Sequence, residues 1–283
     1  MADDRLIYNW DLYRDLRFDA AKRWWIASVV GKVLPFLLGL YFIWQGYNTV
    51  YTVIAVAAVS VASDICQLRS DSIKSDAEAI LRKLDFRDSF GWDLTASDAL
   101  DLLARVPDAT FSAITAPRTE EEQPYFSSTA EPGPLRAAEN FLLSSWWSKH
   151  LATDMFLLCL GLTIAAITVI LGTMLLVLAS CHAFGTEQGP AEQVSRIATS
   201  SVLLVFSAGL VRLTIGYWKF SNKADLLARK FEDLVKQGAP NHTDVLKAIG
   251  DYHLARASSP LIPTWIQNMR KARLNRLWAQ FRA

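Results

Sequence analysis

The chain has 283 residues, 52% of them apolar, a positive mean hydropathy and a formal net charge of +1. A protein that binds nucleic acid is normally strongly basic, so no nucleic-acid polymer is expected as a partner. Cys66, Cys159 and Cys181 are widely spaced and form no CxxC pair, which excludes a disulfide scaffold and a cysteine-based zinc site.

Residues 1–23 suit a cytoplasmic amphipathic helix, with Leu6, Trp10, Tyr13, Arg17, Ala20 and Trp24 at helical spacing. Residues 24–63 read as a first transmembrane hairpin. Its two apolar runs, 24–44 and 47–63, meet at Gln45-Gly46, and Lys32 and Pro35 interrupt the first. The second run continues into a cytoplasmic segment, 64–150, in which Ile73, Ala77, Ile80 and Leu84 form an apolar stripe. Asp85-Phe86 and Phe90-Gly91-Trp92 end that helix, and Thr95 suits an N-cap for a short one reaching about Arg105. Residues 106–134 hold five prolines and Glu120-Glu121-Glu122. They are expected to form a loop, either a solvated connector or a partner contact. Pro134 suits the first turn of the next helix, with Leu135, Ala138, Leu142 and Trp146 on one face.

Residues 151–218 read as a second hairpin. The run 155–181 carries no charge and exceeds the ~20 apolar residues that cross a bilayer as helix. The run 197–218 is broken only by Arg212. Residues 219–283 form a helical tail: one helix to Gln237, another over 243–257, and a basic C-terminal helix from Thr264. That last helix either lies on anionic lipid or packs on the cytoplasmic body. Of 29 Lys and Arg residues, 28 fall outside the two short connections 45–49 and 182–196. The positive-inside rule then puts both termini and the segment 64–150 in the cytoplasm of an inner-membrane protein. The expected fold class is therefore an all-α membrane protein, with four transmembrane helices as two hairpins and a helical cytoplasmic body.

The chain carries no HExxH, GxGxxG, GxSxG or GxxxxGK[ST] motif, and His150, His182, His242 and His253 lack metal-ligand spacing. No enzyme activity, cofactor or metal is expected; Cys181 and His182 are an isolated pair. Gly161, Ala165, Thr168 and Gly172 form a small-residue stripe suited to close helix packing. Ser200, Ser207 and Thr214 repeat every seven residues and either bond to neighbouring helices or line a wet path. Lys32 and Arg212 either snorkel to the interface or, if both face a bundle interior, put positive charge at the inner mouth of a path and favour anions. Trp24, Trp25, Trp146, Trp147 and Trp218 are expected at the membrane interface. Trp24-Trp25 and Trp146-Trp147 share a 122-residue offset with Leu38-Gly39-Leu40 and Leu160-Gly161-Leu162, a weak internal repeat.

Two hairpins around a helical segment, with Asp85-Phe86 and Phe90-Gly91-Trp92 after the second span and Trp146-Trp147-Ser148-Lys149-His150 before the third, resemble the SMODS-associating four-transmembrane effectors of bacterial conflict systems. Where that family has Cys-Gln-Arg, this chain has Asn140-Phe141-Leu142. The resemblance implies a pore-forming or membrane-disrupting effector in antiphage defence, with a nucleotide second messenger or a cytoplasmic sensor protein upstream. Four spans leave little room for a pore within one chain, so a pore implies a homo-oligomer among membrane lipid. A non-conducting membrane scaffold or signalling partner, and a small transporter or channel, are the alternatives.

Overall fold

The computed structural model describes residues 9–45, 49–115, 126, 128–184 and 209–282. Among the described residues there are eight helices and no strand, in agreement with the all-α expectation. They are α1 (Trp10–Gln45), α2 (Thr49–Phe90), α3 (Ala96–Leu103), α4 (Asp108–Ile114), α5 (Pro134–Phe184), α6 (Leu210–Lys236), α7 (His242–Ser258) and α8 (Thr264–Arg282). At 1.5 Å per residue, α1, α2 and α5 are about 54, 63 and 76 Å long.

Two antiparallel hairpins form the frame. In the first, Tyr13 packs near Leu84, Ser70 Oγ donates to Ala21 O at 2.8 Å, and Ser63 Oγ donates to Ser28 O at 2.7 Å. Ser28 and Ser63 are buried there, and a Cβ at Gly31 would stand 3.0 Å from Ser63 Cβ, so small residues set how closely α1 and α2 approach. In the second, Phe141 stacks on Phe231 with ring centroids 5.8 Å apart, and Thr163 on α5 meets Thr214 on α6 at 3.3 Å.

The main core lies where the hairpins and the tail meet. On α6, Phe220, Ala224, Leu227, Phe231 and Leu234 are buried at three- and four-residue spacing, which is the signature of a helix with one apolar face. Leu227, Phe231 and Leu234 pack with Phe141 and Leu142 of α5 and Val245, Ile249 and Tyr252 of α7. A smaller core joins Trp10, Tyr13, Ile80 and Leu84 to Leu102 and Ile114. The expected stripe of α2 is the buried one, since Ile73, Ala77, Ile80 and Leu84 are all core residues. Its end is as expected too: Gly91, at φ 71°, turns the chain after Phe90, a backbone conformation that favours glycine. Thr95 Oγ1 accepts the Asp98 N–H at 3.1 Å, and Asn241 Oδ1 accepts that of Thr243 at 2.8 Å, so both short helices start on a side-chain cap.

Three expectations are corrected or narrowed. The span 106–134 is not wholly loop: it holds α4, because nine proline-free residues follow Pro107, the residue before the helix begins. The C-terminal helix packs on the body: Ile266, Leu274 and Trp278 are buried, and Arg270 grips both oxygens of Asp154 on α5 through Nε (2.6 Å) and a terminal guanidinium nitrogen. Of the four expected spans, one stands out by length and composition among the described residues, in Pro134–Thr168 of α5. The stretch of α1 carries Lys32 and Pro35, and most of the apolar run before α6 lies outside the described residues.

Candidate functional site

Apolar side chains lie exposed along one end of the long helices. They include Ile26, Val30 and Leu34 on α1, Val61, Ile65 and Leu68 on α2, Leu157, Leu162, Ile167 and Leu171 on α5, and Val211 and Ile215 on α6. Only 28% of the most apolar stretch of α5 is buried, whereas a soluble core helix would bury most of it. Contiguous apolar surface on this scale marks a lipid or protein contact.

The lower edge of this belt is set by three hydrogen bonds at one level. Lys22 Nζ donates to Thr264 Oγ1 at 2.9 Å, Ser70 Oγ to Ala21 O, and Tyr217 Oη to Leu261 O at 2.5 Å. The α7–α8 connection thus wedges between the hairpins. Pro260 stands where a Cβ on Gly216 would meet it at 2.8 Å, so glycine is needed for this close approach. Trp24, Trp218 and Trp265 are exposed beside that level. Lys22, Arg23, Trp25 and Trp265 border a shallow cleft of about 240 Å³ there.

Trp24 and Trp218 therefore sit at the belt edge, and Trp25 is half-buried beside the Leu261 cluster. Trp146 and Trp147 do not sit there. Trp146 packs on Trp278 (5.4 Å between centroids) and on His150 (4.6 Å), and Trp147 packs in the core around Met155. The helix stays within the body for two further turns, which also breaks the equivalence of the two tryptophan pairs. Trp265 is the edge tryptophan that sequence reasoning missed; the exposed aromatic opening a basic helix was the available signal.

The structure does not bring Lys32 and Arg212 together. Lys32 Nζ lies 3.8 Å from Asp64 Oδ1, so its charge is offset and does not stand alone at the mouth of a path. Asp64 lies six residues, about 9 Å, beyond Ser70 along α2, among exposed apolar side chains. Arg212 is exposed and makes no ion pair among the described residues. Thr214 Oγ1 donates to Leu210 O at 2.8 Å and meets Thr163, which is packing chemistry; Ser200 and Ser207 lie outside the described residues. Among the described residues the stripe Gly161, Ala165, Thr168 and Gly172 has no packing partner: all four are exposed, and a Cβ on either glycine would meet nothing within 4 Å. The face of α5 turned to α6 is that of Thr163, two residues round from the stripe's first glycine. Nothing is described of the side chains of Cys181 and His182.

A second polar site is buried in the body, between α2 and α7. Arg256 donates from Nε to Glu78 Oε2 at 2.9 Å, and its Nη2 lies 3.8 Å from Asp85 Oδ2. His253 Nε2 lies 3.9 Å from the same Asp85 oxygen. Burial pushes the Asp85 carboxyl up to about 7, against the pull of Arg256. Burial also holds His253 down to about 3, helped by Arg256 and Arg82. Low-dielectric surroundings favour the neutral form of each, so protonated Asp85 faces neutral His253 over the mildly acid range. Lys74 Nζ donates to the carbonyls of Arg256 (3.3 Å), Ala257 (2.8 Å) and Ser259 (2.5 Å). It caps the C-terminus of α7 from α2, the favourable end for a cation, while burial lowers its own pKa.

The segment from Asp85 to Trp92 lies at this site. Asp85 belongs to it, and Phe86, Phe90 and Trp92 stack beside it at centroid distances of 4.9–5.9 Å. Lys149 pairs with Asp225 at 2.5 Å. Among the described residues no group of three His, Cys, Asp or Glu side chains is placed to hold a metal ion. No protein-family model, no curated protein and no solved structure matches the chain.

Proposed function

We propose that the chain is a multi-pass inner-membrane protein, with both termini cytoplasmic, that acts as a homo-oligomeric pore-forming or membrane-disrupting effector. The apolar belt is its membrane-embedded end, with four helices crossing, and the remainder is the cytoplasmic body that gates it. One observation carries this reading. Helices α1, α2 and α5 run unbroken from the buried core of the body into the exposed belt. A helix is stiff over such lengths, so any repacking of the body tilts the membrane end. Two packed arrangements of the body then mean two arrangements of the spans.

Tryptophans at the edge and exposed aliphatic side chains above it fit a bilayer. The antiphage role rests on the resemblance of Asp85-Phe86, Phe90-Gly91-Trp92 and Trp146-Trp147 to the four-transmembrane effectors, and so does an upstream nucleotide second messenger or sensor protein. The body holds buried polar groups where such a signal can act, at Glu78, Asp85, His253 and Arg256.

Expression in a bacterial host with a potential-sensitive dye, together with dye release from liposomes holding the purified chain, tests the proposal. Loss of polarisation and dye release are expected. A chain that sits in the membrane yet leaves polarisation and liposomes intact under every trigger is a scaffold, and the effector reading fails.

A further inference from the structure

Asp64 and Arg212 carry opposite charges at one depth of the apolar belt, on different hairpins. Arg212 lies five residues beyond Tyr217, about 7.5 Å past the level at which Asp64 lies about 9 Å. Each sits in an exposed apolar stripe. On α2 the stripe is Val61, Ile65 and Leu68, with Asp64 within it. On α6 it is Val211, Ile215 and Trp218, with Arg212 beside it. The Asp64 side chain is 72% exposed even with Lys32 against it. Its short side chain cannot reach the edge of the belt, as a lysine or arginine can. A carboxylate turned into hydrocarbon is costly, and such groups pair with one another or face a protein interior.

We propose that a second copy of this chain covers the Asp64 stripe, bringing its Arg212 against Asp64, so that copies associate head to tail through α2 of one and α6 of the next. The inference rests on the membrane reading above and adds the interface to it. Each pair is ringed by aliphatic side chains that exclude lipid and water, the arrangement in which a charged contact weighs most in an interface. Because the two surfaces differ, the contact repeats, and it closes into a ring when the rotation allows. Lys32 stays on the inner side of Asp64, so the carboxylate is flanked by one cation from its own chain and one from the neighbour.

The test uses the full chain with Cys66, Cys159 and Cys181 replaced by serine or alanine, in native membranes, and a short bis-maleimide. Asp64→Cys and Arg212→Cys in one chain are expected to give a ladder of dimers, trimers and larger species, and either substitution alone only monomer. Asp64→Asn and Arg212→Gln are each expected to weaken association at least about tenfold in detergent, and the double variant no more than either. Alkaline carbonate extraction separates the two layers of the argument. A chain stripped from the membrane overturns the membrane reading and this interface with it. A chain that stays in the membrane, but yields only monomer or an internal cross-link, overturns the interface alone. Dimers from Asp64→Cys alone overturn the head-to-tail arrangement.

Discussion

The Asp85–His253 pair carries a prediction whose sign reverses between two variants. Asp85 is about 3 pH units above its usual value of 3.8 in the folded chain, and His253 about 3.5 below its usual 6.5. Between about pH 4 and 7 the folded state keeps a proton on Asp85 that the unfolded chain has released, so this group makes stability fall as pH rises. Between about pH 3 and 6.5 the unfolded chain binds a proton that folded His253 refuses, so that group makes stability rise with pH. At about 1.4 kcal/mol per unit, each contributes at most about 4–5 kcal/mol, with opposite slopes. In the natural chain the two cancel and the pair leaves stability flat from about pH 4 to 6.5. His253→Gln removes the rising component, so stability relative to the natural chain falls across that window. Asp85→Asn removes the falling one, and stability rises. Urea midpoints of the detergent-purified chain at pH 4.5, 5.5 and 6.5 read both slopes. Parallel curves for the natural chain and both variants would refute the reasoning, and so would slopes of the same sign.

Brominated lipid should quench single-tryptophan variants retaining Trp24, Trp218 or Trp265, which lie exposed at the belt edge, and leave Trp146 and Trp278 unquenched inside the body. Phe231→Ala opens a cavity among Phe141, Leu227 and Tyr252. It should cost about 3–5 kcal/mol, read as a lowered urea midpoint. Gly216→Val sets a branched side chain against Pro260, already 2.8 Å from a Cβ at that position. It should lift the 259–263 connection, seen as faster protease cleavage there with the α6 helix retained.

Helices and their ends were legible because their signals are local. The cap at Thr95, the stripe Ile73–Leu84 and Pro134 at the start of α5 depend on residues within a turn or two of each other. Depth was less legible. Trp146-Trp147 looked like an interface pair because aromatic residues precede an apolar run in both cases. Only the packing of α8, through Trp278 and the Arg270–Asp154 contact, shows that the body extends two turns further. The end of an apolar run in sequence is not the edge of the belt. That edge is set by partners far along the chain, Thr264 for Lys22 and Leu261 for Tyr217. The buried site was invisible in sequence. Glu78, Asp85, His253 and Arg256 look like solvated helix-surface charges until α7 is folded onto α2, some 180 residues away.

The bond from Lys74 to the end of α7 spans 182 residues of chain, and that separation has a consequence in time. A ribosome adding about 5–20 residues per second needs about 10–40 s to make the partner. Once residue 90 is made, and for most of that interval, the first hairpin is complete, yet its lysine and the carboxylates of Glu78 and Asp85 have nothing to close against. The nascent chain therefore passes through a half-built state in which the first helical pair is in place and the body is open. Assembly is locked only when almost the last helix is delivered. A ribosome stalled between residues 236 and 242 would leave the chain in that open state, with both hairpins made and the helix that closes the body still missing.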